Sequence, residues 1–466
     1  VKALLFLLSS IYLTFPVSCR PVENRNADKS GLEETKTMNT ASFIEQNRVQ
    51  IKELVRFSWN KPEGLLMIKT GEPLTSLLYS EQQAPEAVIA AYRFRISESG
   101  NKIVVLSNDP LYTSDYSSSL DFLAYDIANK MARKTSVPMS DSRVEKSEIV
   151  DFLLGNNNNL YLLERLLTKE RTTINRLRHI EAGGKIIWEI EAKVGTENPG
   201  QNGLLFGKCR ALLKEMKDTV FLQTETSAKT FVLKIDSNTG KTEEWLSVDN
   251  IVPKIFIDDD LNLHYVTFIK EANNRAYISY DPDKGKKEIR YAGAEAYALL
   301  GFPAALDIHN NIYCAEGLSI SCLSPELLVK WIFSANNIIL DSGSLFTSHF
   351  IEAGKSLVIY RWQADGSLAE TINVPLDLPD LKLGKLSGLV NSGDFVIETY
   401  QGEVKGLWKY TTKSKTLDKL PETSGVNRFY LQPAATWQID RAGNLFIPVS
   451  SAEGFHIVKV SIAPEK

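Results

Sequence analysis

The chain has 466 residues, 43% hydrophobic and 24% charged, which suits a large buried core and excludes a disordered polymer. Its net charge of −4 leaves no basic surplus, so a nucleic-acid partner, which needs clustered Lys and Arg to displace counterions, is disfavoured. Four cysteines do not make a disulfide scaffold, and 17 Tyr, 20 Phe and 7 Trp suit a β-rich body.

The amino-terminal stretch reads differently from the rest. Lys2 precedes an uncharged apolar run over residues 3–15, too short to span a bilayer but of the length of a signal-peptide core. Pro16-Val17-Ser18-Cys19 follows. Val17-Ser18-Cys19 resembles the end of a bacterial lipobox, which implies an exported lipoprotein lipidated at Cys19. Its body would then be periplasmic or surface-exposed, held to the membrane by the lipid anchor alone. Ordinary cleavage near Ser18, leaving Cys19 a plain thiol, is the alternative. Residues 20–40 are polar, as a flexible tether would be. The expected organisation is a signal peptide over 1–19, a tether over 20–40, a helix and ring-closing strand within 41–84, and a repeat body over 85–466.

Within 41–84, apolar spacing over residues 41–56 predicts a helix, and Leu54–Trp59 or Leu65–Lys69 is a candidate closing strand. Beyond it the chain repeats. An Asp, three residues, then Asn and an apolar pair recur as DIHNNIY (307–313), DRAGNLF (440–446) and, loosened, DDDLNLH (258–264); GNNNNLY (155–161) has Gly155 in place of the Asp. Such a segment makes a tight polar turn and starts a buried strand at once. A second element, strand–turn–strand with Asp, Gly and Lys in the turn, is clearest at 231–246 and 276–291. Aligning the units places starting strands near Ile103, Leu160, Val220, Leu263, Ile312, Leu345, Phe395 and Leu445, roughly fifty residues apart as in propeller blades. Thin modules of this kind bury both faces only by stacking around an axis. The predicted fold is therefore an all-β propeller of eight blades, with seven as the alternative. Its last unit lacks an outer strand after His456–Ser461, which an amino-terminal strand would supply.

The Asp-x-x-x-Asn-apolar-aromatic turn resembles repeats of NHL and TolB-like propellers. The later Asp-x-x-x-Gly-Lys turn resembles PQQ-type repeats as seen in outer-membrane assembly lipoproteins. The resemblance spans roughly residues 85–462 and implies fold rather than activity. The tryptophan-docking signature of PQQ enzymes is not apparent, so that cofactor is not implied.

Reactive constellations are scarce. The sequence lacks GxSxG, HExxH, CxxC, P-loop and GxGxxG patterns. The five histidines, His179, His264, His309, His349 and His456, fall in different units. Asp258, Asp259 and Asp260 are the densest acidic cluster and the weak candidates for a calcium site, with solvated turn chemistry as the plainer reading. Cys314 and Cys322 flank a hairpin loop and either pair as a disulfide or remain buried thiols. Trp188, Trp245, Trp331, Trp362, Trp408 and Trp437 serve either as packing between blades or as a stacking surface. Lys241, Lys284, Lys286 and Lys287 are expected on solvent-facing turns. The sequence therefore reads as a non-catalytic envelope scaffold that binds a protein or polymer through a propeller face. A propeller hydrolase or lactonase with channel-bound calcium is the alternative.

Overall fold

Each Asp-containing turn is followed by a strand that is buried almost throughout, and these strands set the architecture. The computed structural model describes residues 49–58, 93–106, 119–194, 208–420 and 430–462, apart from short gaps within these ranges. Residues 1–48, with Cys19 and the tether, and the candidate strand Leu65–Lys69 lie outside the described residues.

The strands form eight antiparallel sheets. Seven of them hold four strands in chain order, spanning Arg93–Pro138, Val144–Lys193, Lys208–Val248, Ile255–Tyr291, Pro303–Ser334, Ile338–Pro375 and Leu381–Leu420. These are blades 1 to 7. Blade 8 begins with the short segments Tyr430–Leu431 and Gln438–Ile439, continues through Leu445–Ser450 and Gly454–Ile462, and is completed by Val49–Ser58. The chain is an eight-bladed β-propeller. Every starting strand read from the sequence is the second strand of a blade, from Lys102–Leu106 in blade 1 to Leu445–Ser450 in blade 8.

Burial follows position within the blade. Second strands are almost wholly buried, as in Thr219–Glu225 and Leu263–Ile269, whereas fourth strands such as Lys286–Tyr291 and Thr416–Leu420 face solvent. First strands of successive blades touch one another from blade 8 through blades 1, 2, 3 and 4, so they form the axial wall. Apolar clusters fill the seams between blades 1 and 2, 2 and 3, 3 and 4, 4 and 5, and 6 and 7. Phe57, Phe94, Phe446 and Phe455 close the seam between blades 8 and 1. One further cluster is shared by three blades: Trp331 and Phe333 of blade 5, Leu345 and Trp362 of blade 6, and Ile447 and Val460 of blade 8.

Val49–Ser58 corrects one expectation. This part of the predicted helix is a strand, paired antiparallel to Gly454–Ile462 over its whole length. A bulge between Glu53 and Val55 explains the misreading. Val49 and Ile51 pack into the three-blade cluster, while Val55 and Phe57 pack into the blade 8–1 seam. One extra residue switches the face while the buried residues keep their spacing of two; only Glu53 and Leu54, at the bulge, fall out of phase, and that interruption gives the stretch its helix-like spacing. Of the two candidate closing strands, Leu54–Trp59 overlaps the observed one, which runs from Val49 to Ser58.

Antiparallel order gives the propeller two unlike ends. One carries the turns between first and second and between third and fourth strands. The other carries the loops between second and third strands and the connections between blades. One connection is the short helix Ala294–Leu299, between blades 4 and 5.

Candidate functional site

At the turn end the repeated motif has one geometry in three copies. The Asp307 carboxylate accepts hydrogen bonds from the backbone N–H groups of His309 and Asn311, from Asn311 Nδ2 at 2.7 Å and from Tyr313 OH at 3.1 Å. Asp440 accepts from Ala442 N, Asn444 N and Asn444 Nδ2. Asp258 accepts from Asp260 N, Asn262 N and Asn262 Nδ2, and lies 3.0 Å from His264 Nε2. The fourth residue of each motif has positive φ: Asn310, Gly443 and Leu261. The motif is thus a carboxylate-pinned turn that launches a strand.

The Gly155 copy solves the same problem with a residue from the next blade. A Cβ on Gly155 would lie 2.5 Å from Glu215 Oε2, so the Glu215 carboxylate occupies the space an Asp would need. Tyr161 OH donates to it at 2.8 Å. Nothing in the local sequence signals this, because Glu215 belongs to blade 3.

The three candidate calcium ligands do not converge. Asp258 is committed to its turn, and Asp259 pairs with Lys214 at 2.6 Å and with Arg441 of blade 8. Asp260 is exposed. Among the described residues no group of three or more His, Cys, Asp or Glu side chains is arranged to hold a metal.

The possible Cys314–Cys322 disulfide is corrected: both thiols are free and buried, as is Cys209. In the hairpin register Cys314 stands opposite Ser321 and Cys322 opposite Tyr313. The two sulfurs therefore point to opposite faces, Cys314 into the blade 4–5 seam and Cys322 into the three-blade cluster. Burial pushes both thiols up to about 12, so neither is a ready nucleophile.

The histidines serve separate blades. His264 is buried between Asp258 and Tyr277, whose hydroxyl lies 2.7 Å from Nδ1. His309 is exposed in its turn, and His349 lies on the second strand of blade 6. His456 is 2.9 Å from Glu53, across the closing pair of strands. His179 is buried and stacks on Tyr161 at 4.4 Å between ring centroids. The tryptophans pack between blades: Trp331, Trp362 and Trp437 belong to the three-blade core, and Trp188 and Trp245 pack against the seams on either side of blade 3. Trp408 is partly buried and donates to Thr399 Oγ1 within blade 7. Lys241, Lys284, Lys286 and Lys287 are exposed, as their turns require.

Two features stand out as candidate sites, and neither was legible in the sequence. The first is the polar lining of the axial wall. Arg95 of blade 1 donates to the Asp151 carboxylate and Phe152 O of blade 2 and to Gln438 Oε1 of blade 8. Asp151 accepts from Leu212 N of blade 3 at 3.0 Å. Lys254, just before the first strand of blade 4, donates to Ala304 O of blade 5.

The second is an aromatic surface at the connection end of blades 4 and 5. Phe268, Tyr297 and Phe302 are 43%, 38% and 49% exposed, well above what packing in a seam would leave. Arg275 links the first two. It pairs with Phe268 across the strands and donates to Tyr297 O and Ala298 O, and its guanidinium lies 4.8 Å from the Tyr297 ring centroid. Phe302 N donates to Leu299 O at the end of the helix, whereas Tyr291, opposite Ala276, leaves the other face of the sheet and stands apart from this surface.

No model of a protein family matches the chain, and no curated protein matches it in sequence. Solved structures similar to it include domains named as propellers. They include the WD40 domain of SCAP from fission yeast, at 9% identity over 80% of this chain and 96% of that one, with a TM-score of 0.35. The propeller domain of the Trilobed protease from Pyrococcus furiosus is 10% identical over 69% of this chain and 95% of that one, with a TM-score of 0.29. A putative 6-phosphogluconolactonase from Bacteroides uniformis is 12% identical over 70% and 97%, with a TM-score of 0.32. These likenesses carry no argument about what the chain binds.

Proposed function

We propose that this propeller is a non-catalytic, lipid-anchored protein of the bacterial cell envelope that binds another protein through its connection end at blades 4 and 5. The supporting observation is the exposed set of Phe268, Tyr297 and Phe302 beside Arg275. Tyr, Phe and Arg are the residues that interface centres favour, because each offers a large rigid apolar area with a polar handle. The lipobox-like Val17-Ser18-Cys19 supports the envelope and anchor parts of the reading.

The alternative, a hydrolase or lactonase with calcium in the channel, needs carboxylates free to meet an ion. Asp258 and Asp259 are already committed to a turn and to ion pairs.

The test is a pull-down from native envelope with the tagged mature chain, run beside Arg275→Ala/Tyr297→Ala and beside Lys241→Ala/Lys286→Ala as a control. The reading expects a stoichiometric partner with wild type and control, lost with the aromatic-face variant. Equal recovery with that variant, or no partner with wild type, would contradict it. Metabolic labelling with palmitate in wild type and Cys19→Ala tests the anchor separately.

A further inference from the structure

Lys254 is a cation of the axial wall that meets no carboxylate in an ion pair among the described residues. Arg95 and Asp151 are tied to each other and to neighbouring strands, so they staple blades 8, 1, 2 and 3. Lys254 is different. Its ammonium meets a backbone oxygen, Ala304 O, and the face of the Phe256 ring at 5.3 Å, and it forms no ion pair with a carboxylate among the described residues. The residue keeps partial exposure while its ammonium is closely surrounded by protein. A lysine in such a place is costly unless an anion joins it.

Burial, and then the Arg95 guanidinium, push this lysine down to about 8, against the opposing pull of Asp151. It therefore stays largely charged at neutral pH. The surroundings also define what the anion carries. Phe256 lies two residues on, in the first strand of blade 4, with its ring against the ammonium.

We infer that Lys254 anchors an oxyanion site at the connection end of the axis, which takes the carboxylate of an organic acid with an apolar body. The ammonium receives the carboxylate as a point charge, and the Phe256 ring beside it meets the apolar part. The carboxylate belongs either to a free small acid or to the end of a chain with an apolar last residue. The site does not depend on the aromatic face proposed above, since none of that face's residues takes part.

The experiment is calorimetric or NMR titration of the mature protein with phenylacetate, phenylacetamide, and the tripeptide Ala-Ala-Phe as acid and as amide. Phenylacetate is expected to bind, with roughly tenfold weaker binding of its amide and of phenylacetate to Lys254→Gln. Gln retains a donor for Ala304 O, so thermal unfolding of Lys254→Gln separates loss of charge from loss of fold. Binding should also fade as pH rises through about 8. Phenylacetate without peptide binding assigns the site to free acids; binding of both acids extends it to chain ends. If Lys254→Gln does not fold, the readout is reductive methylation of Lys254 in wild type, which phenylacetate should slow. No binding by wild type, equal binding by a folded Lys254→Gln, or methylation indifferent to phenylacetate would overturn the site.

Discussion

At the scale of single residues, the repeat is a hydrogen-bonding device, and it was legible wherever its parts are close in sequence. Asp307, Asn311 and Tyr313 lie within seven residues, so composition and spacing announce the turn they build. The Gly155 turn was not legible, because its carboxylate comes from Glu215 in another blade. This exchange predicts a reciprocal pair of effects. Gly155→Asp alone should destabilise the fold by about 1–3 kcal/mol, since two carboxylates would share one place. Adding Glu215→Gly should recover much of the loss, because the turn then resembles those of blades 4, 5 and 8. Urea unfolding of the two single variants and the double variant measures the coupling; strict additivity would refute the exchange. A second residue-scale prediction concerns blade 2, where Arg176 is fully buried against Glu164 with Nε–Oε2 at 3.0 Å. Glu164→Ala leaves that guanidinium without its closest partner and should cost about 3–5 kcal/mol in the same assay.

At the scale of elements, the strand Val49–Ser58 carries the most consequence. Glu53 and Leu54, out of phase at its bulge, interrupt the alternation that marks strands, yet it supplies the fourth strand that blade 8 otherwise lacks. A pH-dependent clamp holds it. Burial pushes the Glu53 carboxyl up, but hydrogen bonds from His456 and Arg56 outweigh this and hold it at about 2. A carboxylate with a depressed folded-state pKa contributes stability that is complete above its ordinary value of 4.5 and is lost as pH falls towards 2. Acid unfolding of wild type should therefore begin below pH 4.5, and Glu53→Gln should flatten the dependence in that window. His179 acts over a higher range. Burial pushes its imidazole below 6.5, against smaller opposing pulls from the Ser237 backbone and Glu215. The folded state disfavours its proton, so stability should fall as pH drops below 6.5, and His179→Phe should remove that part of the slope. The short helix Ala294–Leu299 and the Arg275 surface were not legible, because that surface draws on two strands, a helix and a connection, each unremarkable alone.

At the scale of the whole molecule, eight thin sheets share their cores with their neighbours, and the two ends of the described chain meet in one blade. The ring was legible because each unit repeats its own buried second strand. The meeting of blades 5, 6 and 8 in one cluster was not, since no periodicity in sequence reports which seams run together. Closure is the claim on which the remainder depends, and a cross-link tests it most directly. Lys52 stands opposite Lys459 in the closing pair of strands, whereas Gln50 stands opposite Ser461. Lys52→Cys/Lys459→Cys, read on a non-reducing gel after mild oxidation, should form an intramolecular disulfide and raise the unfolding temperature. Gln50→Cys/Lys459→Cys, two residues out of register, should form little. An unlinked first pair, or equal linking of both pairs, would contradict a ring closed by residues 49–58.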